Sequence, residues 1–136
     1  MRNIKYIAVH CTATAQTATV ENIQKYWREH LGWQMPGYHF IIKANGEIAH
    51  LLDIEKVSNG VKGFNSETIN ISYIGGVDSK SNPKDTRTPE QKATLLKLLR
   101  EMKTKFPKAI IQGHRDFPYV AKACPSFDAK NEYKNL

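Results

Sequence analysis

Apolar strand-like runs alternate with amphipathic helical segments along the chain, and this alternation most restricts the folds open to it. Ile4 to Val9 is apolar and partly β-branched, as a buried strand requires, and delivers His10 to its end. Thr19 offers an N-cap to a helix whose apolar positions Val20, Ile23, Trp27 and Leu31 follow helical spacing, with Gly32 where a left-handed C-cap belongs. Tyr38 to Ile42 and Ile48 to Leu52 flank Asn45-Gly46. That dipeptide suits a type I′ turn, because both residues tolerate positive φ, so a β-hairpin is expected. Thr68 to Ile74 alternates until Gly75-Gly76 breaks it, and the polar stretch Ser79 to Thr86, with Pro83, reads as exposed loop. Thr88-Pro89-Glu90-Gln91 combines an N-cap, a proline at the first helical position and Gln at N3; Leu95, Leu99, Met102 and Phe106 then line one face until Pro107. Ala109 to Gln112 reads as a further strand ending at Gly113-His114, and a polar tail follows Asp128. Interleaving of this kind specifies an α/β fold with a central mixed β-sheet flanked by helices.

The 136 residues fit one domain spanning 1–136, with 40% apolar and 24% charged residues as in soluble globular chains. No stretch approaches the ~20 apolar residues of a membrane span. The apolar run Ile7 to Val9 is interrupted by His10, so the start lacks the hydrophobic region of a signal peptide. Synthesis in the cytoplasm is expected, with action outside only after release or export. Two cysteines are too few for a disulfide framework. A net charge of +7 predicts attraction to a polyanion, whether nucleic acid, anionic membrane or cell wall. The lysines are dispersed and no RNA-binding or helix-turn-helix signature is present, which argues against nucleic acid. Nothing like a heptad demands a partner, so a monomer is expected.

His10 and His114 each end an apolar strand, and Cys124 follows ten positions later in a loop stiffened by Pro118 and Pro125. Two imidazoles and a thiolate could form a zinc set whose fourth position stays open for water, the pattern of catalytic zinc. The same three residues could equally be satisfied polar groups and a small buried thiol. His30, His39 and His50 compete for ligand roles, but the first ends a helix and the others lie in the hairpin, so structural roles are expected. Cys11 adjoins His10 in a strand, where neighbouring side chains face opposite ways, and reads as a core thiol. A metal-free cysteine hydrolase, with Cys124 as nucleophile and His114 as base, is a further arrangement these residues allow.

The segments Val9 to Thr14 (VHCTAT), Gly37 to Ile42 (GYHFII), Lys62 to Asn65 (KGFN), Gly75-Gly76 and Lys122 to Asp128 (KACPSFD) resemble the type 2 N-acetylmuramoyl-L-alanine amidases. That family includes phage amidases and peptidoglycan-recognition proteins, and the likeness runs from near residue 6 to residue 128. The resemblance implies an amidase fold in which His10, His114 and Cys124 hold Zn2+, with Tyr38 and Lys122 beside it as catalytic residues. It also implies a peptidoglycan or muropeptide substrate, cut between the lactyl group and L-alanine, as in phage or prophage lysins. Two departures stand out: phage relatives tend to carry histidine near Gly60, and Phe64 replaces a frequent tyrosine. Family members lacking the cysteine resemble non-catalytic muropeptide-binding modules, the alternative from another functional class.

Overall fold

The first apolar run forms β1 (Tyr6–Cys11), longer at its far end than the sequence suggested, so that His10 lies inside the strand. α1 (Val20–Glu29) follows, its N-terminus capped where Thr19 Oγ1 accepts from Asn22 N–H at 3.1 Å. β2 (Phe40–Ile42) and β3 (Ile48–His50) make the hairpin, and β4 (Thr68–Tyr73) precedes α2 (Pro89–Lys105). β5 (Ile110–Gly113) and α3 (Ala129–Glu132) complete the computed structural model, which describes residues 2–136. Met1, part of the start read above as leaderless, lies outside the described residues. Among the described residues, no helix is long and apolar enough to cross a membrane.

The strands form one mixed sheet in the order β3-β2-β4-β1-β5. β2, β4, β1 and β5 run parallel, and only β3 is antiparallel to its neighbour. β4 is buried along its whole length, because both of its faces are covered; the alternation in its sequence separates two buried faces rather than core from solvent. On one face Ile7, Val9, Ile69, Ile71, Tyr73 and Ile111 meet Leu95, Leu99 and Met102 of α2 in the main core. The other face carries Ala8, His10, Asn70, Ser72 and Gln112, all buried. α1 covers part of that face by packing Ile23 and Trp27 on Ile41 and Ile74. Parallel strands thus present an apolar face for cohesion and a polar one for chemistry.

Three local expectations need correction. In the hairpin turn Gly46 N–H donates to Lys43 O at 2.8 Å and only Gly46 has positive φ, at 89°, so Asn45 does not adopt the type I′ conformation. A left-handed glycine after the turn gives a bulged loop instead, which absorbs the extra residues between the strands. Leu31 lies beyond α1, which ends at Glu29, and is 42% exposed rather than part of the buried stripe. The segment after Asp128 is more than a polar tail: Ala129 of α3 and Tyr133 just beyond it are buried, and Glu132 pairs with the buried Arg87 at 2.8 Å. The capping box at Thr88 is present on both sides, with Gln91 N–H donating to Thr88 Oγ1 at 3.0 Å and Thr88 N–H to Gln91 Oε1 at 2.9 Å.

Candidate metal centre

Val9 of β1 pairs with Gly113 of β5, and the residue after each is a histidine. The parallel register therefore sets His10 and His114 side by side at the carboxyl ends of adjacent strands, where α/β sheets commonly bind ligands. Their ring centroids lie 4.8 Å apart. Gly113 N–H donates to Asp116 Oδ2 at 2.8 Å, which fixes the 3-10 turn that begins with His114. Cys124 arrives on the loop after that turn. Three bonds hold the loop: Arg115 N–H to Cys124 O at 2.9 Å, Tyr73 Oη–H to Pro125 O at 2.6 Å, and Ser126 Oγ–H to Gly76 O at 2.8 Å. His10 Nδ1 then faces Cys124 Sγ at 3.9 Å, and the ligand atoms of His10, His114 and Cys124 all lie within 4.8 Å of one another. Such a group could hold a metal ion.

Electrostatics leave both imidazoles ready to bind a cation. Burial pushes His10 down to about 3, with help from neighbouring His114 and Lys122, and burial likewise pushes His114 down to about 4. Both rings are neutral at neutral pH, each with a free lone pair. The Cys124 thiol is pushed up by its bond with Cys11 and by burial, while Cys11 N–H, 3.2 Å from its sulfur, acts in the opposite sense. A coordinated divalent ion would remove that thiol proton outright. Cys11 itself faces the main core, and its side chain fits because residue 76 is glycine: a Cβ there would overlap Cys11 Sγ and Cβ. The neighbouring cysteines thus occupy distinct settings despite their proximity.

The group lies on the floor of a cavity of about 690 Å³, lined also by Tyr38, Lys122 and the apolar wall of Ile23, Trp27 and Trp33. Tyr38 packs on His10 with ring centroids 4.9 Å apart and directs its hydroxyl to Cys11 O at 3.4 Å. Burial pushes its phenol up, so it stays protonated and can donate. All five residues singled out by the sequence, His10, Tyr38, His114, Lys122 and Cys124, line this one cavity.

The remaining histidines lie elsewhere. His30 is exposed and stacks on Tyr26, and His50 stacks on Phe40 at the hairpin. His39 is fully buried and donates from Nε2 to Lys56 O at 2.7 Å. Sequence reasoning missed Asn70 and Ser58, both fully buried behind the site. Asn70 Oδ1 lies 2.8 Å from His10 Nε2, and Asn70 Nδ2 donates to Ser58 Oγ at 2.7 Å. The signal was the run Thr68, Asn70, Ser72, polar at every second position of an otherwise apolar strand. The departure at residue 60 also acquires a cause, because a Cβ on Gly60 would overlap the Asn70 carboxamide.

The family model described as N-acetylmuramoyl-L-alanine amidase matches residues 1–127. An endolysin of Klebsiella phage KP32 is 40% identical over 125 residues, covering 91% of this chain and 82% of that protein. The solved Ph2119 endolysin from a Thermus scotoductus bacteriophage superposes with a TM-score of 0.78 at 25% identity, over 92% of this chain and 79% of its own. The peptidoglycan-recognition protein PGRP-SA of Apis mellifera shares the fold, with a TM-score of 0.81 at 22% identity, over 100% of this chain and 84% of its own. A family match over nearly its whole length and a relative 40% identical over 91% of it lead to one conclusion: this chain belongs to the N-acetylmuramoyl-L-alanine amidase family.

Proposed function

We propose that the chain is a zinc-dependent amidase that hydrolyses the bond between the lactyl group of N-acetylmuramic acid and L-alanine in peptidoglycan, acting as a phage or prophage-type lysin. The observation that carries this reading is the convergence of His10, His114 and Cys124 beneath an open cavity. A tetrahedral zinc site needs nitrogen and sulfur ligands about 3.5 Å apart, given Zn–N near 2.0 Å and Zn–S near 2.3 Å. The 3.9 Å between His10 Nδ1 and Cys124 Sγ fits that requirement with small adjustment. Two neutral imidazoles and one thiol also match the donor chemistry zinc favours. Bound there, zinc would acidify water and polarise the scissile carbonyl.

The chain's own residues supply the rest. Tyr38, protonated because it is buried, offers a hydroxyl donor, and Lys122 a cation, to the oxygen that gains charge when the amide carbon becomes tetrahedral. The leaving amine must take a proton as the C–N bond breaks, which these same donors can deliver. Ile23, Trp27 and Trp33 keep one wall apolar, limiting water around the reacting bond. The test is to incubate the protein with peptidoglycan, with and without a strong chelator, and count new L-alanine amino groups. They are expected to appear, to vanish with chelator and to return with zinc. New sugar reducing ends would instead mean a glycosidase. Binding without any cleavage under zinc-replete conditions would leave a muropeptide-binding module. Cys124→Ser is expected to abolish both zinc binding and cleavage while Cys11→Ser keeps both, since only Cys124 faces His10 Nδ1.

A further inference from the structure

We infer that Asn70 is a positioning residue for the metal site: its carboxamide holds His10 in the tautomer and orientation that turn Nδ1 toward Cys124. The inference rests on the zinc reading above and extends it to residues outside the ligand set. Its support is the direction of a buried hydrogen-bond chain. A backbone N–H can only donate, and that of Asn70 donates to His39 Nδ1 at 3.0 Å. His39 therefore carries its proton on Nε2, where Lys56 O accepts it at 2.7 Å. Ser58 Oγ–H points at the same Nδ1 from 3.2 Å, leaving the Ser58 oxygen to accept. The group of Asn70 that faces Ser58 at 2.7 Å must then be its NH2, so the group facing His10 at 2.8 Å is the carbonyl oxygen. That oxygen accepts only, which places the His10 proton on Nε2 and leaves the Nδ1 lone pair pointing into the cavity.

All four side chains are buried, so water cannot compete for these partners. Polarity set at two fixed backbone groups thereby reaches the proposed ligand through His39, Ser58 and Asn70. Partners of this kind orient metal-binding histidines and tune their basicity, and their loss commonly weakens metal affinity about 10–100-fold. Gly60 belongs to the same device. With no side chain of its own it leaves the space that the Asn70 carboxamide fills.

The experiment compares Asn70→Leu, which keeps the branched shape and heavy-atom count but cannot accept, with Asn70→Asp, which keeps an acceptor and lets the Ser58 hydroxyl turn to meet it. Zinc affinity is measured by competition with a chromophoric chelator, on protein whose folding is checked by thermal melting. Asn70→Leu is expected to bind zinc about 10–100-fold more weakly, and Asn70→Asp at least as tightly as the unmodified protein. A merely structural role predicts the reverse order, because a buried carboxylate disturbs the fold more than leucine does. Unchanged affinity in Asn70→Leu, or equal loss in both, would overturn the inference. His114→Ala separates this from failure of the zinc reading: if it too leaves affinity unchanged, the metal site itself is wrong. Should neither Asn70 variant fold, 15N chemical shifts of His10 in the unmodified, zinc-free protein decide. The Nε2–H tautomer is expected, and the Nδ1–H tautomer would end the proposal.

Discussion

Lys122 and Tyr38 line the cavity without belonging to the histidine and cysteine group, and this separates what each should do when changed. Lys122→Ala and Tyr38→Phe are each expected to lower kcat on the order of 100-fold, the usual loss for a donor to a developing oxyanion. Zinc affinity, measured on the same samples, is expected to hold. A parallel fall in metal binding would mean that they support the site rather than the reaction. His10, His114 and Cys124 stood out in the sequence as polar or thiol groups at the ends of apolar strands and in a loop between prolines, whereas Tyr38 and Lys122 were pointed to only by the resemblance of GYHFII and KACPSFD to the amidase family. The run of Thr68, Asn70 and Ser72 marked a polar strand face without giving Asn70 its role, since such a face looks the same whether it meets solvent or the back of an imidazole. Only the parallel register of β1 on β4, which pairs Ala8 with Asn70, brings it behind His10.

At the level of elements, local signals located α1, α2 and the strands, while boundaries depended on tertiary contacts. Thr88 shows a cap whose geometry follows from four residues alone, and Thr88→Ala is expected to cost about 1 kcal/mol, read from urea unfolding. The C-terminal segment shows the opposite. Its sequence is polar enough to pass for a tail, yet Tyr133 is buried against Phe127, its ring centroid 6.2 Å away, and its hydroxyl accepts from Arg87 at 3.0 Å. Tyr133→Ala is therefore expected to cost about 3–5 kcal/mol, the range for removing a buried aromatic. A change below 1 kcal/mol would restore the tail reading. The segment escaped sequence reasoning because one tyrosine and one alanine carry no periodicity over so short a helix.

For the molecule as a whole, the buried histidines tie stability to acidity. Burial pushes His39 down to about 4, while an unfolded histidine titrates near 6.5. Between those values the unfolded chain binds the extra proton, so folding stability rises with pH there. The contribution is complete above about 6.5 and is lost as pH falls toward 4. Thermal melting of zinc-free protein is expected to drop across that window, with a shallower drop in His39→Gln; identical slopes would remove His39 from the account. The two faces of the sheet have a further consequence for how such a chain can change. The two networks meet at Cys124, which lines the cavity while packing against the core beneath α2, and at Tyr73, whose hydroxyl holds the same loop. Repacking around Leu95, Leu99 and Met102 that spares Tyr73 and Cys124 is thus the route to heat tolerance with catalysis unchanged, while redesign of the wall of Ile23, Trp27 and Trp33 can alter which wall fragment is cut without unseating that core.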